Sequence, residues 1–255
     1  MLGWLNRLLG QGARHQGASQ SSRAFLPVEP VTNDAIQGTL GQAKLTLGMQ
    51  LRVKGITNPR VLKAMLDEVP RERFVIQSMS DRAYEDVTLP IGLGQTISQP
   101  YIVALMSQLL GPDRSKSILE IGTGCGYQAA VLSRLFEHVY SIERHADLAE
   151  TAIERLRQLD CTNVSVHLGD GFLGLPDLAP FDGIILTAAP QTVPRQLVNQ
   201  LAEGGRLVMP VGDLETQTLL RVTKHVDGTF EEERMMGCKF VPLIGEQGWT
   251  NGDAR

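Results

Sequence analysis

The chain has 255 residues, enough for one large α/β domain with a buried core and too few for two full-sized domains with linkers. Its 42% hydrophobic and 20% charged residues are the balance of an ordinary water-soluble globular protein. A formal charge of −4 argues against a nucleic-acid partner held by phosphate neutralisation. No apolar run approaches the roughly 20 residues that cross a bilayer, so stable membrane association is not expected.

In chain order, Met1 to Leu9 places Leu2, Leu5, Leu8 and Leu9 on one helical face, suited to touching the body of the protein, a partner or a membrane surface. The stretch is short, interrupted by polar residues and lacks a small-residue cleavage site, unlike a secretory signal. From about Gly10 to Gln42, Gln, Ser, Gly and Ala dominate, so residues 1–44 are expected to form a flexible arm. Order should begin near Leu45. Asn58-Pro59 predicts a helix start, with Asn58 as N-cap and Pro59 in the first helical position. Val61, Leu62, Met65 and Leu66 share a face, and the helix must stop near Val69-Pro70. Arg71 to Gly94 has no clean period yet holds Phe74, Val75, Tyr84, Leu89, Pro90 and Ile91. It is read as an ordered, loop-rich segment of the kind usually tied to function. Residues 45–116 thus form a helical and loop region.

From Ser117, strand and helix alternate. Strands are expected at 117–121, 138–143, 163–168, 183–187 and 206–211, and helices at 128–136, 146–159 and 194–201. Apolar strands joined by helices imply an α/β fold, a doubly wound, mostly parallel, Rossmann-like sheet. Residues 218–225 and 232–243 follow without an intervening helix and predict an antiparallel C-terminal strand pair. The core is expected over 117–245, with 246–255 as a tail. Cys125, Cys161 and Cys238 are scattered, with no C-x-x-C pair and no neighbouring His. That spacing suits a reducing, cytoplasmic compartment and offers no metal site.

Glu120-Ile121-Gly122-Thr123-Gly124-Cys125-Gly126 lies where the first core strand passes into a helix, the point at which a doubly wound sheet opens its ligand crevice. Such a turn alone is shared with dinucleotide-binding enzymes. Glu120 would repel a pyrophosphate at the helix N-terminus and suits a cationic ligand instead. Glu143 ends the second strand, where an acid can accept from both ribose hydroxyls. Asp170-Gly171 ends the third, where a carboxylate can meet an adenine amino group. Acids and glycines at successive strand ends describe a pocket for a positively charged nucleoside without phosphates, such as S-adenosyl-L-methionine. Cys125 needs only to be small and buried there.

Upstream, Leu89-Pro90-Ile91-Gly92-Leu93-Gly94-Gln95-Thr96-Ile97-Ser98-Gln99-Pro100-Tyr101 joins a glycine-rich loop to hydroxyls and a helix. This run resembles the signature of protein-L-isoaspartate O-methyltransferases. So do Val69 to Val75, Leu119 to Ala130, Val139 to Arg144, Gly169 to Gly171, Thr187 to Pro190 and Phe240 to Leu243, in continuous order from about Leu45 to Leu243. The resemblance implies an S-adenosyl-L-methionine site built from Glu120, Gly122, Thr123, Gly124, Glu143, Arg144, Asp170, Gly171 and Thr187. It implies Ser98 as the active-site hydroxyl with Thr96 beside it. Ile97, Ser98, Ala188, Val241, Pro242 and Leu243 would complete the cleft for isoaspartyl-containing proteins and peptides. Cys125 stands where a serine is common, and the first forty or so residues have no counterpart in compact bacterial members.

An isoaspartyl carboxyl group, which ordinarily titrates at about pH 4, is already an anion at neutral pH. The enzyme need only hold it in line with the methyl–sulfur bond, an orientation effect of up to about 7–11 kcal/mol. In this family the ester then closes to a succinimide whose hydrolysis returns some normal aspartate. Ser98 has an alternative role as cap of the helix starting at Pro100. A methyltransferase acting on another carboxylate or small molecule, or a non-catalytic cofactor-binding module, are the rival readings. A monomer is expected.

Overall fold

The computed structural model describes residues 33–113, 116–246 and 248–250. The expected face of Met1 to Leu9, most of the arm and the last five residues lie outside the described residues. Helix α1 (Asn33–Val53) begins well before Leu45, so the boundary expected at residue 44 falls inside a helix. Leu47 and Leu51 are buried, and Leu40 and Ala43 pack against the same core. These residues recur every three or four positions, but lone apolar residues diluted among Gly, Gln and Thr disguise the helical period.

Helix α2 (Pro59–Lys63) starts as expected, with Asn58 Oδ1 accepting from the amides of Arg60 at 3.0 Å and Val61 at 3.3 Å. It continues as a π-helical turn, Ala64–Glu68, and stops at Val69. Two 3-10 turns, Arg71–Arg73 and Gln77–Arg82, lead into a hairpin of β1 (Leu89–Gly92) and β2 (Gln95–Ile97) where only a loop was expected. Its two-residue connection, Leu93-Gly94, has φ of 51° and 70°. Positive φ at both positions is the mark of a type I′ turn, which follows the natural twist of paired strands.

After α3 (Pro100–Leu110) come β3 (Ser117–Ile121), α4 (Tyr127–Ser133), β4 (His138–Glu143), α5 (Ala146–Gln158) and β5 (Val164–Leu168). Then follow β6 (Phe181–Leu186), α6 (Arg195–Asn199), β7 (Leu201–Gly212), β8 (Gln217–Lys224) and β9 (Phe230–Cys238). The large sheet has the order β5-β4-β3-β6-β7-β8-β9. Its first five strands are parallel, and β8 and β9 add antiparallel. Ile118, Ile185 and Val208 belong to the core shared with α1 to α4, whereas Leu119, Ile184 and Leu207 pack with Leu197 and Val198 of α6. This alternation buries both faces. The chain steps from β3 outward to β5 and returns on the other side of β3 at β6, and that reversal opens a crevice at the carboxyl ends of these strands.

Two C-terminal expectations need correction. β9 ends at Cys238 rather than Leu243 because the Gln217 side chain takes over the Phe240 backbone, its Oε1 accepting from the amide at 2.6 Å and its Nε2 donating to the carbonyl at 3.1 Å. Released from the sheet, Val241 and Leu243 exchange backbone hydrogen bonds with Ala189, each at 2.8 Å. Nor is the end of the described chain a free tail. Trp249 is buried and its indole N–H donates to the Ala189 carbonyl at 3.0 Å, giving a large apolar side chain both a pocket and a partner.

Candidate active site

At the carboxyl ends of β3, β4 and β6 lies a cleft of about 390 Å³, within the range of small-molecule sites. The β1–β2 hairpin and the segment that follows it form one wall. Of the residues expected from sequence, Gly122, Thr123, Gly124, Glu143, Arg144, Gly171 and Thr187 line the cleft, and so do Thr96, Ile97, Ser98, Ala188, Val241, Pro242 and Leu243. Glu120 and Asp170 do not.

The glycine turn is locked from beneath. Gly122 has φ +96°, and a Cβ there would collide with Thr187 Oγ1. That hydroxyl sits so close because it donates to the carbonyls of Ile121 at 2.9 Å and Gly122 at 2.6 Å. Glu143, 5% exposed, accepts three backbone N–H bonds: from Gly124 at 2.8 Å, Arg144 at 2.9 Å and His145 at 3.0 Å. A carboxylate has about four acceptor sites, so roughly one stays available to a ligand hydroxyl.

Glu120 takes another direction. Alternation along β3 puts Ile121 on the cleft and sends Glu120 to the opposite side of the sheet, where it is fully buried. The Ser141 hydroxyl donates to its Oε2, Thr123 Oγ1 lies 2.6 Å from Ser141 Oγ, and Oε1 is without a partner. Burial pushes the Glu120 carboxyl up to about 8, against the hydrogen bond from Ser141 and with a contribution from the charge of Glu143. Burial favours the protonated form, and the side chain does not reach the cleft, so the expectation of a negative wall facing a cation is corrected: Glu120 braces the turn from within the core. Asp170 is likewise drawn away, because Oδ1 accepts from the Phe172 amide and Oδ2 from the Glu246 amide, both at 2.9 Å. It ties the C-terminal segment to the β5 turn, while its neighbours Gly169 and Gly171 line the cleft.

Ser98 does not cap α3. Gln99 occupies the N-cap without a side-chain bond, and Asp86 accepts the Tyr101 amide at 2.7 Å. The Ser98 hydroxyl lines the cleft and has no hydrogen bond among the described residues. Ile97, 3% exposed, packs into the core between Thr96 and Ser98. Cys125 is buried, and burial pushes its thiol up, which suits a packing role and not a nucleophile. Among the described residues no group of three His, Cys, Asp or Glu side chains is arranged to hold a metal ion.

Sequence reasoning missed the cleft-lining Tyr127 and His145 and the buried Arg71 that lies against Tyr127. Tyr127 had a signal, since it follows the last glycine of the turn. Nothing in the composition around Arg71 marks it as buried.

The family model of protein-L-isoaspartate(D-aspartate) O-methyltransferase matches residues 42–248. The chain belongs to this family. A protein-L-isoaspartate O-methyltransferase of Trichlorobacter lovleyi is 52% identical over 200 residues, covering 78% of this chain and 92% of that protein. One from Yersinia enterocolitica is 52% identical over 199 residues, covering 78% and 94%. Among solved structures, a protein-L-isoaspartate O-methyltransferase aligns with a TM-score of 0.70 at 30% identity, over 80% of this chain and 67% of that one. A Plasmodium falciparum chain assigned to the same class, in complex with S-adenosyl-L-homocysteine, aligns with a TM-score of 0.67 at 25% identity, over 78% and 97%.

Proposed function

We infer that the chain transfers a methyl group from S-adenosyl-L-methionine to the free carboxylate of L-isoaspartyl residues in damaged proteins and peptides. The observation that carries this reading is the family match over residues 42–248, which takes in every cleft-lining residue named above. S-adenosyl-L-homocysteine in the related Plasmodium falciparum structure is what the donor becomes once its methyl group has left.

The cleft suits that donor. A Cβ at Gly124 would project to within 3.4 Å of Ile91 Cδ1, itself on the cleft, so glycine keeps open the space a ligand would fill. Gly122, Gly124, Glu143, Gly171 and Thr187 would hold the nucleoside end, with Glu143 offering its remaining acceptor site. When bound, S-adenosyl-L-methionine supplies an electrophilic methyl group. The chain then needs no base, because the acceptor carboxylate is ionised at neutral pH. Ser98 and Thr96 donate hydrogen bonds to that carboxylate and fix its approach. The hairpin on one side, and Val241, Pro242 and Leu243 on the other, narrow the cleft and keep water from competing.

Residues from 117 onward act as the cofactor-binding unit and residues 45–116 supply the substrate loop. The chain works as a monomer in the cytoplasm. In support of that compartment, Cys125, Cys161 and Cys238 are all free, as reducing conditions would keep them, and no described helix is long and apolar enough to cross a membrane. The test is label transfer from S-adenosyl-L-methionine to an isoaspartyl peptide by wild type and Ser98→Ala. Wild type is expected to label the peptide, and Ser98→Ala to turn over about tenfold to a hundredfold more slowly with its affinity for S-adenosyl-L-homocysteine retained. Unchanged turnover in Ser98→Ala would remove Ser98 from the catalytic set.

A further inference from the structure

Arg71 is fully buried and joins three segments of the chain, two of which, at Ser98 and Tyr127, line the cleft. Its Nε donates to the Ala83 carbonyl at 2.7 Å and its Nη2 to the Ser98 carbonyl at 2.8 Å. The guanidinium lies over the ring of Tyr127, with Cζ 4.8 Å from the centroid. Tyr127 opens α4 directly after the glycine turn and lines the cleft. The backbone amide of Arg71 donates to the Tyr84 hydroxyl at 3.2 Å, which in turn donates to Glu72 at 2.6 Å. Among the described residues no carboxylate pairs with Arg71, and Nη1 has no hydrogen-bond partner.

Burying a guanidinium without a counter-ion costs stability, and a well-packed apolar side chain would fill the same volume without that penalty. What an apolar residue cannot do is grip two carbonyls at fixed angles while stacking on an aromatic face. A planar fork of donors can, and lysine, a flexible point charge, cannot do all three at once.

We propose that Arg71 is a positioning residue: its grip on the Ala83 and Ser98 carbonyls, braced on Tyr127, sets the Ser98 segment at a fixed height over the glycine turn. Carboxylate and methyl donor are thereby held in line. This rests on the reading of function given above.

The experiment follows methylation of an isoaspartyl peptide by wild type, Arg71→Lys and Arg71→Ala, together with calorimetric titration of S-adenosyl-L-homocysteine. Wild-type protein that makes no product overturns the functional reading and this inference with it. With wild type active, both variants are expected to lose about tenfold to a hundredfold in kcat, the effect of moving an aligned group by about 1 Å, while the affinity for S-adenosyl-L-homocysteine changes by less than about twofold. Methylguanidinium added to Arg71→Ala is expected to restore part of the lost kcat. A parallel fall in kcat and nucleoside affinity would mean general loosening of the site and would overturn the proposal, as would unchanged kcat. Should the Arg71 variants fail to melt cooperatively, Tyr84→Phe loosens the same anchor by one contact. It is expected to lower kcat with nucleoside affinity kept, and an unchanged kcat there refutes the proposal.

Discussion

Replacing Glu143 with alanine tests the cofactor half of the cleft. Three backbone amides at 2.8, 2.9 and 3.0 Å already occupy the carboxylate, so about one acceptor site is left for a ligand hydroxyl. A hydrogen bond to a charged group contributes about 1.5–3 kcal/mol, which is about 10-fold to 150-fold in Kd. The alanine variant also frees the Gly124 amide from its anchor, which loosens the turn and adds to the loss. Titration calorimetry with S-adenosyl-L-homocysteine reads the change directly, and a thermal melt establishes that the variant is folded. A folded Glu143→Ala protein that binds with wild-type affinity would refute the assignment of Glu143 to the nucleoside.

Other perturbations probe the scaffold. Gly122→Ala places a Cβ against Thr187 Oγ1 at φ +96°; a destabilisation of about 1–3 kcal/mol from the strained backbone, plus the collision, is expected in denaturant titrations. Adding Thr187→Ala should recover only the collision part. Glu120 has its carboxyl raised from 4.5 to about 8 in the folded chain. The stability it contributes is therefore complete below about pH 4.5 and lost as pH rises through about 8. Glu120→Gln, neutral throughout, is expected to gain in melting temperature relative to wild type from about pH 5 to about pH 9, and a constant difference would show that Glu120 is ionised in the native protein. Trp249→Ala removes a buried indole and its bond to Ala189; a loss of about 3 kcal/mol is expected by chemical denaturation.

The parallel core was legible because its strands are apolar runs bounded by turns, and β3 and β4 have the ends expected from sequence. That Gly122, Gly124, Gly171 and Glu143 line the cleft was legible for a related reason, since the ends of such strands are where a doubly wound sheet opens its crevice. Glu120 and Asp170 show where this stops. Residue type and spacing fix a strand end, but which way a carboxylate turns depends on the donors around it, and the Ser141 hydroxyl and the Glu246 amide come from distant segments. The same holds for β1 and β2, three or four residues each, whose pairing hides their period. It holds too for Arg71, whose partners at Ala83, Ser98 and Tyr127 meet only in the fold.

The most direct test of the account is label transfer from S-adenosyl-L-methionine to a pair of peptides differing only in an isoaspartyl or a normal aspartyl linkage. Base-labile methanol release then identifies the ester. Labelling confined to the isoaspartyl peptide is the expected result. Equal labelling of both peptides, or of neither, would contradict it.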